Sequence, residues 1–242
     1  MSNDRADLAL VARGFYESRA KAQEAIAAGL VRVGGRLLRK ASEHIPANSE
    51  VEAQAPYPWV SRGGVKCAAA LDAFGFDPTG RTCLDVGAST GGFTHVLISR
   101  GAARVYAVDV GRGQLHHSLR RDVRVISMEG TDARLLQPET FFEPPSLVVC
   151  DASFISLTLV LPPVLALSAP HAALAALIKP QFEVGRANVA KGVVRDQAAR
   201  EQACARICDM LTALGWNIVG LRQSPIEGGD GNIEYLVGAR RR

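Results

Sequence analysis

The chain has 242 residues, room for one large domain or a large and a small one, and 48% of them are hydrophobic, so a sizeable core can be buried. No apolar run approaches the roughly 20 residues a membrane helix needs, and the polar first residues lack the apolar stretch of a signal peptide, so a cytoplasmic protein with no membrane partner is expected. The five cysteines are an odd, scattered set, neither they nor the five histidines show metal-ligand spacing, and a net charge of +4 permits a nucleic-acid partner without requiring one.

From the N-terminus, residues 6–13 carry a short helical pattern stopped by Gly14, and residues 18–28 a second one, with Ser18 as N-cap and Gly29 as stop. Residues 30–36, Leu-Val-Arg-Val-Gly-Gly-Arg, alternate and then turn as a hairpin does. A polar stretch, 40–50, and a short strand near Val51 close the unit. About 50 residues make a small core, so this unit is expected to lean on its neighbour. Residues 1–60 hold eight basic and seven acidic side chains, yet the cations cluster at Arg32, Arg36, Arg39 and Lys40. Such a cluster is either a nucleic-acid face or a solvated one. Pro56-Tyr57-Pro58-Trp59 reads as a stiff connection, giving expected boundaries of 1–55 for the small domain, 56–63 for the linker and 64–242 for the large domain. A helix over 64–74 then carries Lys66 near its start.

From residue 81, strand patterns at 81–86, 104–109, 123–127, 146–150 and 172–178 alternate with helix patterns near 92–100, 113–120, 156–168 and 196–214. This alternation predicts a doubly wound, mostly parallel α/β sheet. The last apolar segments, 216–222 and 233–239, have only the turn material of 227–231 between them and are expected to pair antiparallel.

Residues 83–94, Cys-Leu-Asp-Val-Gly-Ala-Ser-Thr-Gly-Gly-Phe-Thr, run from an apolar strand through Asp85 into a glycine-rich turn and a helix start. In an α/β sheet this is where backbone approaches a ligand, and the turn residues Gly87, Ser89, Gly91, Gly92 and Phe93 are candidate contacts. Asp109, at the end of the next apolar run, can accept both hydroxyls of a ribose, so an adenosine-containing cofactor is expected. The spacing Gly87-x-x-x-Gly91-Gly92 is not the Gly-x-Gly-x-x-Gly of a nicotinamide site. An acid at the strand end suits the cationic methionine part of S-adenosylmethionine, and the antiparallel C-terminal pair agrees with a methyltransferase. Asp132, after the third strand, either meets the adenine amino group or is a solvated turn residue.

Ligands of such sheets bind at the carboxyl ends of the strands. Asp151 ends the 147–150 run, Lys179 ends 174–178, Glu234 opens the last strand, and Lys66 lies on the helix leading into the domain. Singly, each also has a plain reading: an acid there can cap a helix, and a lysine can reach solvent along its stem. Together they suit methyl transfer to an alcohol, in which a lysine orients the attacking oxygen or takes its proton, a second cation supports it, and carboxylates hold both lysines in place. Much of the acceleration comes from aligning oxygen, methyl and sulfur.

The ordered segments resemble the TlyA haemolysin-like family of ribosomal RNA 2′-O-methyltransferases. They are Arg5-x-Asp7, Gly14, Ser18-Arg19 and Gly29-x-Val31-x-Val33-x-Gly35, then Val60-Ser61-Arg62-Gly63-Gly64-Val65-Lys66, the 85–94 turn, Val108-Asp109-Val110-Gly111, Asp151-Ala152-Ser153-Phe154-Ile155-Ser156, Lys179-Pro180-Gln181-Phe182-Glu183, and residues 228–234. The resemblance implies a small α+β S4 RNA-binding domain ahead of a Rossmann-like methyltransferase of FtsJ type. It implies that Lys66, Asp151, Lys179 and Glu234 are the catalytic set, that S-adenosylmethionine is the methyl donor, and that a ribosomal cytidine 2′-hydroxyl is the acceptor. The S4 unit would meet structured RNA through Arg13, Arg19, Arg32 and Arg36, with Arg62 of the linker as a further RNA contact. The few residues ahead of the S4 motif lean the expectation toward the large-subunit (23S) RNA over the 16S RNA. A non-catalytic S4-domain ribosome-assembly factor is the alternative, and would leave the four-residue set unexplained. A pseudouridine synthase would want a catalytic Arg-Leu-Asp segment, which the sequence lacks.

Overall fold

The computed structural model describes residues 3–185 and 189–242, in two units, Met1–Pro58 and Trp59–Arg242. In the first, β1 (Asn3–Arg5) leads into α1 (Ala6–Ala12) and α2 (Arg19–Ala27), followed by β2 (Val31–Val33), β3 (Arg36–Leu37), β4 (His44–Pro46) and β5 (Val51–Ala53). Ser18 caps α2 by accepting from the Lys21 N–H. Strands β3-β2-β5 form one small antiparallel sheet and β1-β4 another. Leu10, Ile26, Val31, Leu38 and Ile45 are buried together as its core. β4 stands where the sequence suggested only a polar stretch, and its partner β1 lies ahead of the first expected helix. Each strand has three residues and Ile45 is the one buried position of β4, so no alternation is there to read.

The second unit runs α3 (Gly63–Phe74), β6 (Thr82–Val86), α4 (Gly92–Ser99), β7 (Arg104–Asp109), α5 (His117–Arg120), β8 (Val125–Glu129), two single 3₁₀ turns, β9 (Leu147–Cys150), α6 (Leu157–Ala166), β10 (Ala173–Ile178), α7 (Pro180–Glu183), α8 (Gln197–Ala213), β11 (Trp216–Gln223) and β12 (Tyr235–Arg241). Trp59 and Val60 pack against its core. The seven strands are ordered β11-β12-β10-β9-β6-β7-β8, all parallel except β12, which is antiparallel to both neighbours. β6, β9 and β10 are buried along their whole length, as strands covered on both faces must be. Successive side chains supply the two faces: Leu84 and Val86 join the core under α6 and α8, while Cys83 joins the core under α3 and α4.

Two elements differ from expectation. The helix expected over 113–120 is only α5, because Gly113 turns through φ +68° and Glu129 takes the N–H groups of Gln114 and Leu115. β8 begins at Val125, its first residue paired with β7, and Val123 is exposed ahead of it.

One packing detail sets the position of α3. A Cβ built on Gly238 of β12 would lie 2.4 Å from the Phe74 ring, so the helix rests on bare backbone there. Among the described residues no helix is long and apolar enough to cross a membrane.

Candidate active site

β6 and β9 lie side by side and parallel, but their connections leave toward opposite faces, to α4 and α6. A crevice therefore opens beyond their carboxyl ends. Gly87, the first residue after β6, has φ +82°, and a Cβ there would sit 3.0 Å from the backbone carbonyl of Asp151, the first residue after β9. Only glycine lets these two loops approach so closely. Gly91 caps α4, and Gly92 and Phe93 open it, all three buried.

Two cavities meet at Gly87, Ser89 and Asp151. The larger, about 520 Å³, is walled by Asp109, Asp132 and Phe154 among others; the smaller, about 220 Å³, by Lys66, Arg62, Gly92 and Phe93. The larger is of small-molecule size. At its wall the Asp109 carboxylate is already oriented, accepting the N–H of Ser89 at 2.8 Å on one oxygen and that of Gly111 at 2.7 Å on the other. Asp132 also lines the wall, with its carboxylate on the backbone N–H and guanidinium of Arg134, 2.6 Å at the closest. That guanidinium holds Asp132 below the usual carboxylate range. Three carboxylates around a cleft with an open backbone cradle fit a ribose and a cationic methyl donor, and oppose a dianionic pyrophosphate.

Asp85 lies elsewhere. It is fully buried and lines neither cavity. Thr94 Oγ1 donates to its Oδ2 at 2.6 Å, while Oδ1 has no partner. Burial pushes its carboxyl up to about 7.

The four ionisable candidates resolve into two pairs. Lys66 Nζ is 2.5 Å from Glu234 Oε2, both residues buried. Lys179 Nζ is 2.7 Å from Asp151 Oδ1, and it donates to Ser153 Oγ at 2.7 Å and to the Asp151 carbonyl at 3.3 Å. The Asp151 Oδ1 contact is close in distance but lacks hydrogen-bond alignment. We therefore read it as an ion pair. Asp151 faces both cavities and Lys66 the smaller.

Three supporting residues were not singled out in the sequence. The buried Glu183 carboxylate accepts from Ser156 Oγ at 2.6 Å and the Leu157 N–H at 2.8 Å, fastening the loop after β9 to the helix after Lys179. Buried Asn232 receives the Val194 N–H at 3.0 Å and donates to the Gly192 carbonyl at 2.8 Å, fixing the turn ahead of Glu234. Ser153 touches Lys179. All three fall inside the segments quoted for the resemblance, but only the folded loops reveal their partners. Arg62 donates to the Glu227 carbonyl, which ties the start of α3 to that same turn.

In the first unit, Arg19 is held by the buried Asp7 at 3.0 Å, together with Arg5 and Gln23. Arg36 pairs with Glu43 at 2.9 Å, Arg32 donates to the Gly35 carbonyl, and Arg13 donates to the Ser49 carbonyl. Arg13, Arg32 and Arg36 are exposed, as are Arg39 and Lys40.

The model of the FtsJ-like methyltransferase family matches residues 59–241, and that of the S4 domain matches residues 4–51. The chain is 45% identical, over 98% of its length and 89% of the relative's, to a Mycobacterium tuberculosis protein named 16S/23S rRNA (cytidine-2′-O)-methyltransferase TlyA. It is 40% identical, over 74% of its length and 69% of the relative's, to a Campylobacter jejuni protein named 23S rRNA (cytidine-2′-O)-methyltransferase TlyA. A solved structure from Streptococcus thermophilus, provisionally named a hemolysin, is 38% identical with a TM-score of 0.78, covering 100% of this chain and 89% of that one. The chain belongs to the FtsJ-like methyltransferase family, among its S4-bearing, TlyA-type members.

Proposed function

We propose that this chain transfers a methyl group from S-adenosylmethionine to the 2′-hydroxyl of a cytidine in ribosomal RNA. The large-subunit RNA is the proposed acceptor, because 23S RNA is the target common to the names of both relatives. The observation that carries the reading is the pair of lysine–carboxylate contacts, Lys66 with Glu234 and Lys179 with Asp151, beside a cleft whose wall presents an oriented ribose-accepting carboxylate.

S-adenosylmethionine supplies a methyl carbon bonded to a sulfonium, which leaves as a neutral thioether. Asp109 accepts the hydroxyls of its ribose, Asp132 lies on the wall of that cleft, and the 87–93 turn lets backbone meet the methionine part. Asp85, buried behind the turn, supports it from beneath through Thr94. Lys179 meets the attacking 2′-oxygen, orienting it through an N–H or, in its neutral form, taking its proton. Lys66 adds positive charge where the oxygen develops negative charge, and Glu234 and Asp151 hold the two lysines in place. Arg13, Arg32 and Arg36 supply phosphate contacts from the S4 unit, with Arg62 near the smaller cavity; Arg19 serves the RNA face through the Asp7 cluster that shapes it.

Ribosomal subunits lacking the modification, incubated with methyl-labelled S-adenosylmethionine, should acquire label in rRNA, and Lys179→Ala should abolish it while still binding the donor. No label on rRNA of either subunit would overturn the enzyme reading in favour of a non-catalytic RNA-binding factor. Label surviving in Lys179→Ala would remove that lysine from its assigned role.

A further inference from the structure

Gln114 lies between β7 and α5 and lines the larger cavity. The residue is exposed, yet it is held at two points. Its backbone N–H donates to Glu129 Oε1 at 2.6 Å, and its amide oxygen accepts from Ser89 Oγ at 3.1 Å. Ser89, with a left-handed φ of +46°, also gives its N–H to Asp109 Oδ2. One serine thus orients a carboxylate and an amide on the same wall. A Cβ built on Gly111 would run into the Gln114 amide nitrogen and lie 3.1 Å from Asp109 Oδ1. Nitrogen and oxygen therefore flank one small volume, which glycine leaves open. The amide turns its donor end toward the carboxylate, the orientation that charge favours. Among the described residues, no acceptor takes either of the two N–H groups on that nitrogen.

A ribose presents two neighbouring hydroxyls, and each can both donate and accept, whereas an ionised carboxylate only accepts. Asp109 therefore pairs with the two O–H groups and leaves the lone pairs of their oxygens without a donor. We infer that Gln114 Nε2 supplies that donor, giving an N–H to a ribose hydroxyl oxygen of the methyl donor, so that Asp109 and Gln114 together satisfy the diol in both directions. Ser89 is the positioning residue for the pair. An N–H placed for a hydroxyl loses its partner when that hydroxyl is missing, so the amide makes the cleft select for an intact ribose. The inference rests on the reading of S-adenosylmethionine as the methyl donor.

The test is calorimetric titration of the full-length protein with S-adenosylhomocysteine, which keeps the adenosine of the donor, and with its 2′-deoxy and 3′-deoxy analogues. A net hydrogen bond of the usual strength predicts that Gln114→Ala binds S-adenosylhomocysteine about three- to tenfold more weakly than wild type. With the analogue that lacks the contacted hydroxyl, the two proteins should bind equally. Gln114→Glu can still accept from Ser89 but has no N–H and sets a second negative charge beside Asp109, so it should lose at least as much. Undiminished affinity for S-adenosylhomocysteine in either variant, or a loss in Gln114→Ala that persists in full with both deoxy analogues, would overturn the inference and leave the donor reading standing. A wild-type protein that binds no S-adenosylhomocysteine would instead overturn the donor reading, and this inference with it.

Discussion

Replacing Asp85 with asparagine should stabilise the second unit, and more so as the pH rises. The Asp85 carboxyl is fully buried, with one oxygen on Thr94 and the other unpartnered. Burial raises its pKa from an ordinary 3.8 to about 7. The folded state therefore favours the protonated acid, and the unfolded state the carboxylate. Below the unfolded value the group costs the fold nothing; as the pH climbs the cost grows, and it levels off above the folded value. At about 1.4 kcal/mol per pH unit of that gap, the cost is about 2 kcal/mol near pH 5 and about 4 kcal/mol near pH 8. Asparagine is neutral throughout, matches the shape and can still accept from Thr94. Urea unfolding followed by the fluorescence of Trp59 and Trp216, both in the second unit, should show the variant gaining about 2–3 kcal/mol over wild type between those two pH values. Curves for the two proteins that run parallel from pH 5 to 8 would refute the reasoning and mean that the carboxyl keeps its charge in the fold.

Gly238→Ala drives a methyl group into the Phe74 ring, and overpacking of this kind costs about 1–3 kcal/mol. The same urea assay should detect it, and an unmoved midpoint would mean that α3 shifts freely. In the first unit, Asp7→Ala removes the acceptor for Arg5, Arg19 and Gln23. Amide exchange of α1 and α2 should report a loss of about 1–3 kcal/mol with the tryptophan transition unchanged. Arg5 and its companions hold the Asp7 carboxyl well below the usual range, so the stability it contributes is present above pH 3.8 and disappears as the pH falls lower. Arg32→Ala should weaken RNA binding and reduce the slope of log affinity against log salt by about 1; an unaltered slope would take Arg32 off the RNA face.

Much of the catalytic unit is legible in the sequence because its strands are buried on both faces and read as apolar runs ended by a single acid or lysine. Asp109, Asp151 and Lys179 announce themselves in this way. The mostly parallel sheet and its antiparallel last pair follow from the alternation of strand and helix plus the helix-free gap before β12, whereas the strand order comes from the fold. What the sequence hides depends on tertiary contact. Asp85 looks like a cofactor ligand because of its place in the glycine turn, yet its side chain points into the core toward Thr94. The pairing of Lys66 with Glu234 spans 168 positions and shows no local signal. Within the cationic cluster of Arg32, Arg36, Arg39 and Lys40 the sequence does not show that Glu43 engages Arg36, nor, outside it, that Asp7 engages Arg5 and Arg19. Short polar strands such as β1 and β4 carry too few buried positions to set a period.

Among the described strands the antiparallel β12 follows all the others in sequence, yet it inserts between β11 and β10 rather than adding at an edge. It also follows directly on Glu234, the partner of a lysine on the first helix of the unit. Strands β6 to β9 and the loops that wall the larger cavity therefore precede in sequence both the counter-charge of Lys66 and an inner strand of the sheet. Residues 59–233 thus carry the walls of the larger cavity without a complete lysine–carboxylate set, which closes only when Glu234 and β12 are in place.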